Sequence, residues 1–261
     1  MADDDAWDPE QYGRFARERR QPFDDLMTLV EPVPGGRALD LGCGTGELTV
    51  DLHRRLGVAS TVGIDTSGSM LRAAPVVDGV RFELADLTAF EPQAPVDVVA
   101  ANASLQWVPD HGAQLARLTR WLAPGGQVAV QVPTNADHPA HALIAEVAGE
   151  APFASAMHPD ALVDPVAANV LPPARYAELL HQLGFTRQHV RLQVYGHLLA
   201  STAEVVEWTR GTTLTRIEKG LPPELFAPFV ARYRERLLDV LGDQRPYFYA
   251  FKRILVWGRV A

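Results

Sequence analysis

Cysteine, lysine and long apolar runs are what this sequence has least of. Cys43 is the single cysteine among 261 residues, which excludes an internal disulfide and leaves a metal site one thiolate at most. A run of about 18 apolar residues, which a transmembrane helix requires, occurs nowhere in the chain. The first five residues are acidic rather than basic and then apolar, so we expect no secretory signal. These features favour a cytoplasmic protein.

The charges are unevenly divided. Acidic residues outnumber basic ones 32 to 24, for a net charge of −8, and the only lysines are Lys219 and Lys252. A nucleic-acid binder usually carries a basic cluster or stripe, and none is present, so we expect no nucleic-acid partner. The eight histidines form no His-x-x-x-His pair, so no metal site is expected.

Apolar strands alternate with helices in the first half of the chain. A helix is predicted over residues 8–30, with Asp8 as N-cap and Pro9 at its first position. Further helices are predicted over Glu47–Leu56, Ser69–Ala74 and Ala113–Leu122. The predicted strands are Arg37–Leu41, Ser60–Ile64, Val80–Leu84, Val96–Ala101 and Gln127–Val132. This alternation predicts a doubly wound α/β fold whose parallel sheet is covered by helices on both faces.

The regular alternation of strands and helices ends after Pro133. Helical fragments, notably His141–Ala148, fill residues 134–171, and residues 200–242 are predicted to be wholly helical. Two more strands, Arg187–Tyr195 and Tyr247–Val260, bring the predicted sheet to seven strands, with a helix over Pro172–Leu183 between the fragments and the first of them. The predicted division is a core over residues 1–133, a helical cap over 134–171 and 198–246, and completion of the sheet by 172–197 and 247–261.

A glycine-rich turn joins the first strand to the following helix. It reads Asp40-Leu41-Gly42-Cys43-Gly44-Thr45-Gly46, and glycines there let a ligand approach the backbone closely. A dinucleotide site requires glycines at positions one, three and six, but the sixth position here is Glu47. This spacing excludes a nicotinamide dehydrogenase, and the acid would repel a pyrophosphate. Cys43 fits the turn because it is small, and we do not interpret it as a nucleophile.

Two more acids follow the next two strands. Asp65 ends the second strand, where a carboxylate can accept both ribose hydroxyls, and Asp86 follows the third. With Asp40 they lie at the carboxyl ends of neighbouring strands, where open α/β sheets bind ligands. Three carboxylates and no phosphate site indicate a ligand with a ribose, an amino group and a positive centre.

This set of residues resembles that of the class I S-adenosylmethionine-dependent methyltransferases. The resemblance, carried by residues 37–132, implies S-adenosyl-L-methionine as cofactor and a Rossmann-like fold. It implies that Asp65 holds the ribose, that Asp86 and the backbone of Leu87 hold the adenine, and that Asp40 lies near the amino group. The glycine turn would face the methionine portion. The full set of implied cofactor contacts is Tyr12, Asp40, Gly42, Cys43, Gly44, Gly46, Asp65, Thr66, Met70, Asp86, Leu87 and Asn102.

Within that class, the sequence is similar to members that methylate the carboxylates of small polycarboxylic acids. The similarity lies in Trp7-Asp8-Pro9 with Tyr12, in Phe15–Pro22, in Ala101–His111 and near the C-terminus. It implies a small anionic substrate, and we expect a monomer or weak homodimer. A carboxylate is already ionised at neutral pH, since its pKa is about 3 to 5. We therefore expect no general base and no catalytic residue in the strict sense.

An anionic substrate in an acidic protein requires local hydrogen-bond donors or positive groups. Each candidate also has a structural alternative, namely a surface ion pair, a helix cap, a sheet-edge charge or a core tryptophan. The substrate-binding candidates are Arg20, Gln106, Trp107, Asn135, His138 and Arg253. Two other functions stay open: methylation of a different or acyl-carrier-bound acid, and a catalytically silent module that binds the cofactor and regulates a partner.

Overall fold

The computed structural model describes residues 16–211 and 213–261. Seven strands form one sheet in the order β3-β2-β1-β4-β5-β7-β6. The strands are β1 Arg37–Leu41, β2 Ser60–Asp65, β3 Val80–Leu84, β4 Val96–Asn102, β5 Leu122–Pro133, β6 Arg187–Leu199 and β7 Tyr247–Arg259. Strands β1 to β5 pair in parallel, and β7 pairs antiparallel with β5. The predicted seven-stranded, mostly parallel sheet is confirmed.

Helices connect these strands. The first described helix, α1, is Ala16–Met27, and residues 8–15 of the predicted helix lie outside the described part. The other helices are α2 Glu47–Leu56, α3 Gly68–Arg72, α4 His111–Trp121, α5 Pro139–Ala148, α6 Phe153–Ala156, α7 Pro165–Asn169, α8 Pro173–Gln182, α9 Glu204–Arg210, α10 Thr213–Gly220 and α11 Pro223–Leu241. Short 3₁₀ turns occupy Leu105–Trp107 and Pro159–Leu162.

The structure extends two predicted strands. Strand β5 begins at Leu122 rather than Gln127, because the Pro124-Gly125-Gly126 segment, predicted to end the preceding helix, joins the sheet. Gly125 makes this possible with φ at +73°, and its N–H donates to the carbonyl of Ala261. Strand β6 continues to Leu199 rather than Tyr195.

Both faces of the sheet are apolar where helices cover it. One buried cluster includes Leu39, Leu41, Val99 and Val130 with residues of α4 and α8. The other includes Ala38, Ala100, Ala129 and Leu255 with residues of α1 and α2. Successive strand residues alternate between the two clusters, as the pleat of a strand requires. This alternation fixes the face on which each residue at a strand end lies.

The chain divides into two compact units. The first comprises the described residues up to Pro133, Asn169–Gln193 and Arg253–Ala261, and the second comprises Thr134–Ala168 and Val194–Lys252. The second unit contains helices α5 and α9 to α11 and the adjoining parts of β6 and β7. No helix in the described ranges is long and apolar enough to cross a membrane.

Candidate active site

The glycine turn between β1 and α2 is held by its own backbone and by Ser104. Gly42, Gly44 and Gly46 all have positive φ, at +72°, +56° and +76°. A side chain at Gly42 would approach Ser104 Cβ to 2.3 Å, and Ser104 Oγ donates to the carbonyl of Leu41 at 2.5 Å. No space for a side chain exists at that position. The turn therefore fits only glycine there and presents bare backbone to the strand ends.

Asp40 is buried beneath this turn. Its carboxylate accepts a 2.6 Å hydrogen bond from Thr49 Oγ1 on α2, and its side of β1 faces that helix. Burial raises the pKa of Asp40 to about 6, with a smaller contribution from the charge of Asp65. The hydrogen bond from Thr49 opposes the shift. A positive group brought to this carboxylate would lower its pKa again.

Asp65, at the end of β2, accepts hydrogen bonds from the glycine turn that follows β1 and from the start of its own loop. Its Oδ2 accepts from the N–H of Gly44 at 2.8 Å, and its Oδ1 accepts from the N–H of Ser67 at 2.9 Å. Each carboxylate oxygen has a second lone pair, so both can still accept from a ligand. Thr66 is exposed beside Asp65, while Met70 is buried one turn into α3. This arrangement suits a diol such as a ribose.

Asp86 begins the loop that follows β3. One of its oxygens accepts from both the N–H and the hydroxyl of Thr88, each at 2.7 Å. These hydrogen bonds hold the pKa of Asp86 below its usual value. The residue is exposed, and its neighbour Leu87 offers its backbone at the same edge of the sheet. The register pairs Asp65 with Leu84, so the loop starts next to Asp65.

The end of β4 supplies a second group of polar side chains. Asn102 ends the strand, and Ala103 follows it with φ at +55°, a conformation that is uncommon for a residue with a side chain. Gln106 is 4% exposed and donates to the carbonyl of Ala103 at 2.7 Å, while Trp107 is 42% exposed. The side-chain oxygens of Asn102 and Gln106 are buried without a hydrogen-bond partner among the described residues.

Arg253 lies beside the end of β5. The antiparallel register places it opposite Pro133, and it is 7% exposed. Its Nη1 donates to Gln131 Oε1 at 3.1 Å. Gln131 is not among the residues predicted to bind substrate, because a single polar residue in an apolar strand carries no functional pattern of its own. The signal was the predicted strand itself, whose alternation places Gln131 on the same face as the end of β4.

Two other substrate candidates, Arg20 and Asn135, have structural roles. Arg20 is half exposed and forms ion pairs with Asp24 at 3.6 Å and Asp51 at 2.5 Å, which is the surface alternative. Asn135, in the second unit, is held at both ends of its amide, because its Oδ1 accepts from the N–H of Lys252 and its Nδ2 donates to the Tyr249 hydroxyl. We therefore do not retain these two residues as substrate contacts.

His138 caps the N-terminus of α5. Its Nδ1 accepts from the N–H of Ala140 at 3.1 Å, and its Nε2 lies 3.3 Å from the Tyr247 hydroxyl. Burial lowers its pKa, so the ring is neutral at neutral pH and offers no positive charge to an anion. This is the helix-cap alternative. Tyr12, the remaining candidate, lies outside the described residues.

The fold is that of the class I S-adenosylmethionine-dependent methyltransferases. The family model described as the methyltransferase domain matches residues 12–190. The chain belongs to this family.

Individual relatives of this chain have more specific names than the family model. A trans-aconitate 2-methyltransferase from Methylobacterium nodulans is 41% identical over 245 residues, which cover 94% of this chain and 92% of the relative. A second, from Deinococcus radiodurans, is 39% identical over 251 residues, covering 95% and 96%. Among solved structures, the YcgJ protein of Bacillus subtilis superimposes with a TM-score of 0.60 at 15% identity, covering 92% of this chain and 98% of that one. That likeness supports the fold alone.

Proposed function

We propose that this enzyme transfers a methyl group from S-adenosyl-L-methionine to a carboxylate of trans-aconitate, or of a similar small polycarboxylate, and releases a methyl ester. The observation that carries the proposal is the similarity to the two trans-aconitate 2-methyltransferases. It spans more than nine-tenths of the chain and therefore includes most of the second unit as well as the sheet. The strand-end residues independently support the cofactor part of this proposal.

The site fits this cofactor. Gly42 admits no Cβ, so the backbone of the turn is available for close approach, and Asp65 can accept from two hydroxyls while it still holds Gly44. The carboxylate of Asp40 suits an amino group, and Asp86 with the Leu87 backbone suits an adenine. Asp40 and Asp65 together also create a negative field that favours a positively charged sulfur.

The chemistry requires positioning rather than proton transfer. When bound, the cofactor supplies a methyl group whose bond to positively charged sulfur breaks, leaving the electron pair on sulfur, as an acceptor oxygen bonds to the carbon. An acceptor carboxylate is ionised at neutral pH, since its pKa is about 3 to 5. The residues around the strand ends have therefore only to bind it, align it and exclude water. Alignment alone can lower the activation free energy by roughly 7–11 kcal/mol.

The proposal also covers the partners, the compartment and the oligomeric state of the enzyme. A net charge of −8 without a basic cluster argues against a nucleic-acid substrate. A single buried cysteine is compatible with a reducing compartment, and we place the enzyme in the cytoplasm. We expect it to act as a monomer or weak homodimer on a small anion.

Transfer of labelled methyl groups to a panel of acids tests this function. We expect trans-aconitate to be methylated with a kcat/KM at least about tenfold above those of citrate, succinate and crotonate, with the ester identified by mass spectrometry. Transfer to a different acid alone would contradict the assigned acceptor. Binding of S-adenosylhomocysteine without transfer to any acid would instead support the silent regulatory module.

A further inference from the structure

Three polar side chains share one face of the sheet at its carboxyl edge. On β5, Val128, Val130 and Val132 belong to one buried cluster and Ala129 to the other. Because side chains alternate along a strand, Gln131 lies on the face of Ala129, which is the face that α1 and α2 cover. The same alternation assigns Asn102 to the face of Ala100 and Arg253 to the face of Leu255.

The strand register brings these residues side by side. Asn102 pairs with Gln131 on the neighbouring strand, and Gln131 pairs with Leu255, two residues from Arg253. The 3.1 Å hydrogen bond from Arg253 Nη1 to Gln131 Oε1 closes the row. Asp40 lies on the same face of β1, two residues before the glycine turn. The row therefore runs from the proposed cofactor site towards Arg253.

Two side-chain atoms in this row are buried without a hydrogen-bond partner among the described residues, the oxygen of Asn102 and the nitrogen of Gln131. A guanidinium can only donate, so the atom of Gln131 that faces Arg253 must be its oxygen, and the amide nitrogen points elsewhere. That nitrogen is fully buried and has no partner among the described residues. Buried polar groups in folded proteins are almost always paired. An unpaired donor beside a buried guanidinium indicates a place for an acceptor-only, negatively charged group.

A carboxylate matches these donors. Its two oxygens can accept from a guanidinium and an amide N–H together, in the geometry that arginine provides better than lysine. Such contacts withdraw electron density from the carboxylate and make it a poorer nucleophile. A carboxylate held here is therefore better suited to anchoring the acceptor than to receiving the methyl group.

We propose that Arg253 and Gln131 anchor a second, non-reacting carboxylate of the acceptor, so that the enzyme selects acids with two carboxylates at a fixed separation. This proposal rests on the proposed function. It adds that specificity for polycarboxylates comes from one buried pair at the junction of β5 and β7. Methylation then occurs on the carboxylate nearer the glycine turn.

Replacement of the anchor tests the proposal through substrate discrimination. In Arg253→Met we expect kcat/KM to fall at least about tenfold more for trans-aconitate than for crotonate, because only trans-aconitate has a second carboxylate that loses a hydrogen bond to a charged group. Arg253→Lys should recover only part of the loss, because the fork is missing. Full retention of the preference for trans-aconitate over crotonate in Arg253→Met would overturn the proposal.

Gln131→Glu provides a second variant with a matched control. A carboxylate at position 131 would pair with Arg253 and repel the substrate, so the KM for trans-aconitate should rise while that for the cofactor does not. Gln127→Glu carries the same change on the same face of β5, four residues earlier. Gln127 is buried there, and its Oε1 accepts a 2.9 Å hydrogen bond from the indole N–H of Trp257. An equal rise of KM in both variants would indicate a general effect of burying charge and overturn the proposal. Thermal unfolding of each variant shows whether it is folded.

Binding without turnover separates this proposal from the proposed function. Calorimetry with S-adenosylhomocysteine in place should show trans-aconitate binding to the wild type and at least about tenfold weaker binding to Arg253→Met. If binding depends on Arg253 but no methyl transfer occurs, the proposed function fails and the anchor stands. If methyl transfer occurs and binding is insensitive to Arg253, the anchor fails and the function stands.

Discussion

Asp40 shows how burial alters a carboxylate at a strand end. Its pKa of about 6 lies above its value of 3.8 in an unfolded chain. Between these values the folded protein binds more protons than the unfolded chain. The free energy of unfolding therefore falls as pH rises through this window, and the loss is complete above about pH 6.

Replacing Asp40 should remove this pH dependence. We expect Asp40→Asn to match the wild type near pH 4 and to exceed its free energy of unfolding by about 3 kcal/mol at pH 7, because an asparagine oxygen can still accept from Thr49. Urea unfolding of the cofactor-free protein between pH 4 and pH 8 measures the difference. Asp78→Asn, at an exposed site before β3, is the control. A difference that does not vary with pH would contradict the assigned burial effect.

Asp65 is the residue on which cofactor binding should depend most. Asp65→Ala removes the acceptor for the N–H groups of Gly44 and Ser67 and the proposed acceptor for the ribose. We expect the Kd for S-adenosylhomocysteine in calorimetry to rise at least about 10- to 100-fold, with little change in Asp78→Ala. An unchanged Kd would remove Asp65 from the site.

The loop after β3 depends on one arginine of helix α4. Arg117 donates to the carbonyl of Leu87 at 2.7 Å, to that of Phe90, and to Glu91 Oε1 at 3.0 Å. Its guanidinium lies 4.7 Å from the ring centre of Trp121, whose indole N–H also donates to Glu91. A helix thus fixes the shape of the loop that carries the proposed adenine contacts.

Arg117→Lys tests this positioning role. A lysine keeps the charge but cannot reach three acceptors in the fixed geometry of a guanidinium. We expect the cofactor KM to rise about tenfold, with kcat and the KM for trans-aconitate nearly unchanged. Arg120→Lys, on an exposed part of the same helix, should leave all three constants at wild-type values. An equal loss in both KM values for Arg117→Lys would indicate general destabilisation instead.

Element by element, the sequence was informative where its patterns are local. Helix α2 and strands β1 and β3 begin and end at their predicted residues, because apolar periodicity and flanking glycines define them. The prediction was wrong for the start of β5, since pairing of Gly125 with Ala261 depends on a strand far away in sequence. Residues 200–242 were correctly predicted as helical, but their division into α9, α10 and α11 was not.

For the molecule as a whole, the cofactor half of the site was easier to predict than the substrate half. Asp40 and Asp65 lie at the carboxyl ends of β1 and β2 and Asp86 just after β3, so order along the chain is enough to bring them to one edge. Gln131 and Arg253 meet only because β7 returns antiparallel beside β5. A single sequence does not encode that register locally. The ion pair between Arg20 and Asp51 also leaves no local signal, because Asp51 lies on helix α2.

Methyl transfer without a general base predicts the pH dependence of kcat for the whole enzyme. Burial lowers the pKa of His111, His138 and His141, so these rings stay neutral from about pH 7 upward. The acceptor is fully ionised there, since its carboxyl pKa is about 3 to 5. At saturating substrates we therefore expect kcat to be constant between about pH 7 and 9 and nearly equal in H2O and D2O. A kcat that follows one ionisation in this range, accompanied by a solvent isotope effect, would show that a protein base takes part in the reaction.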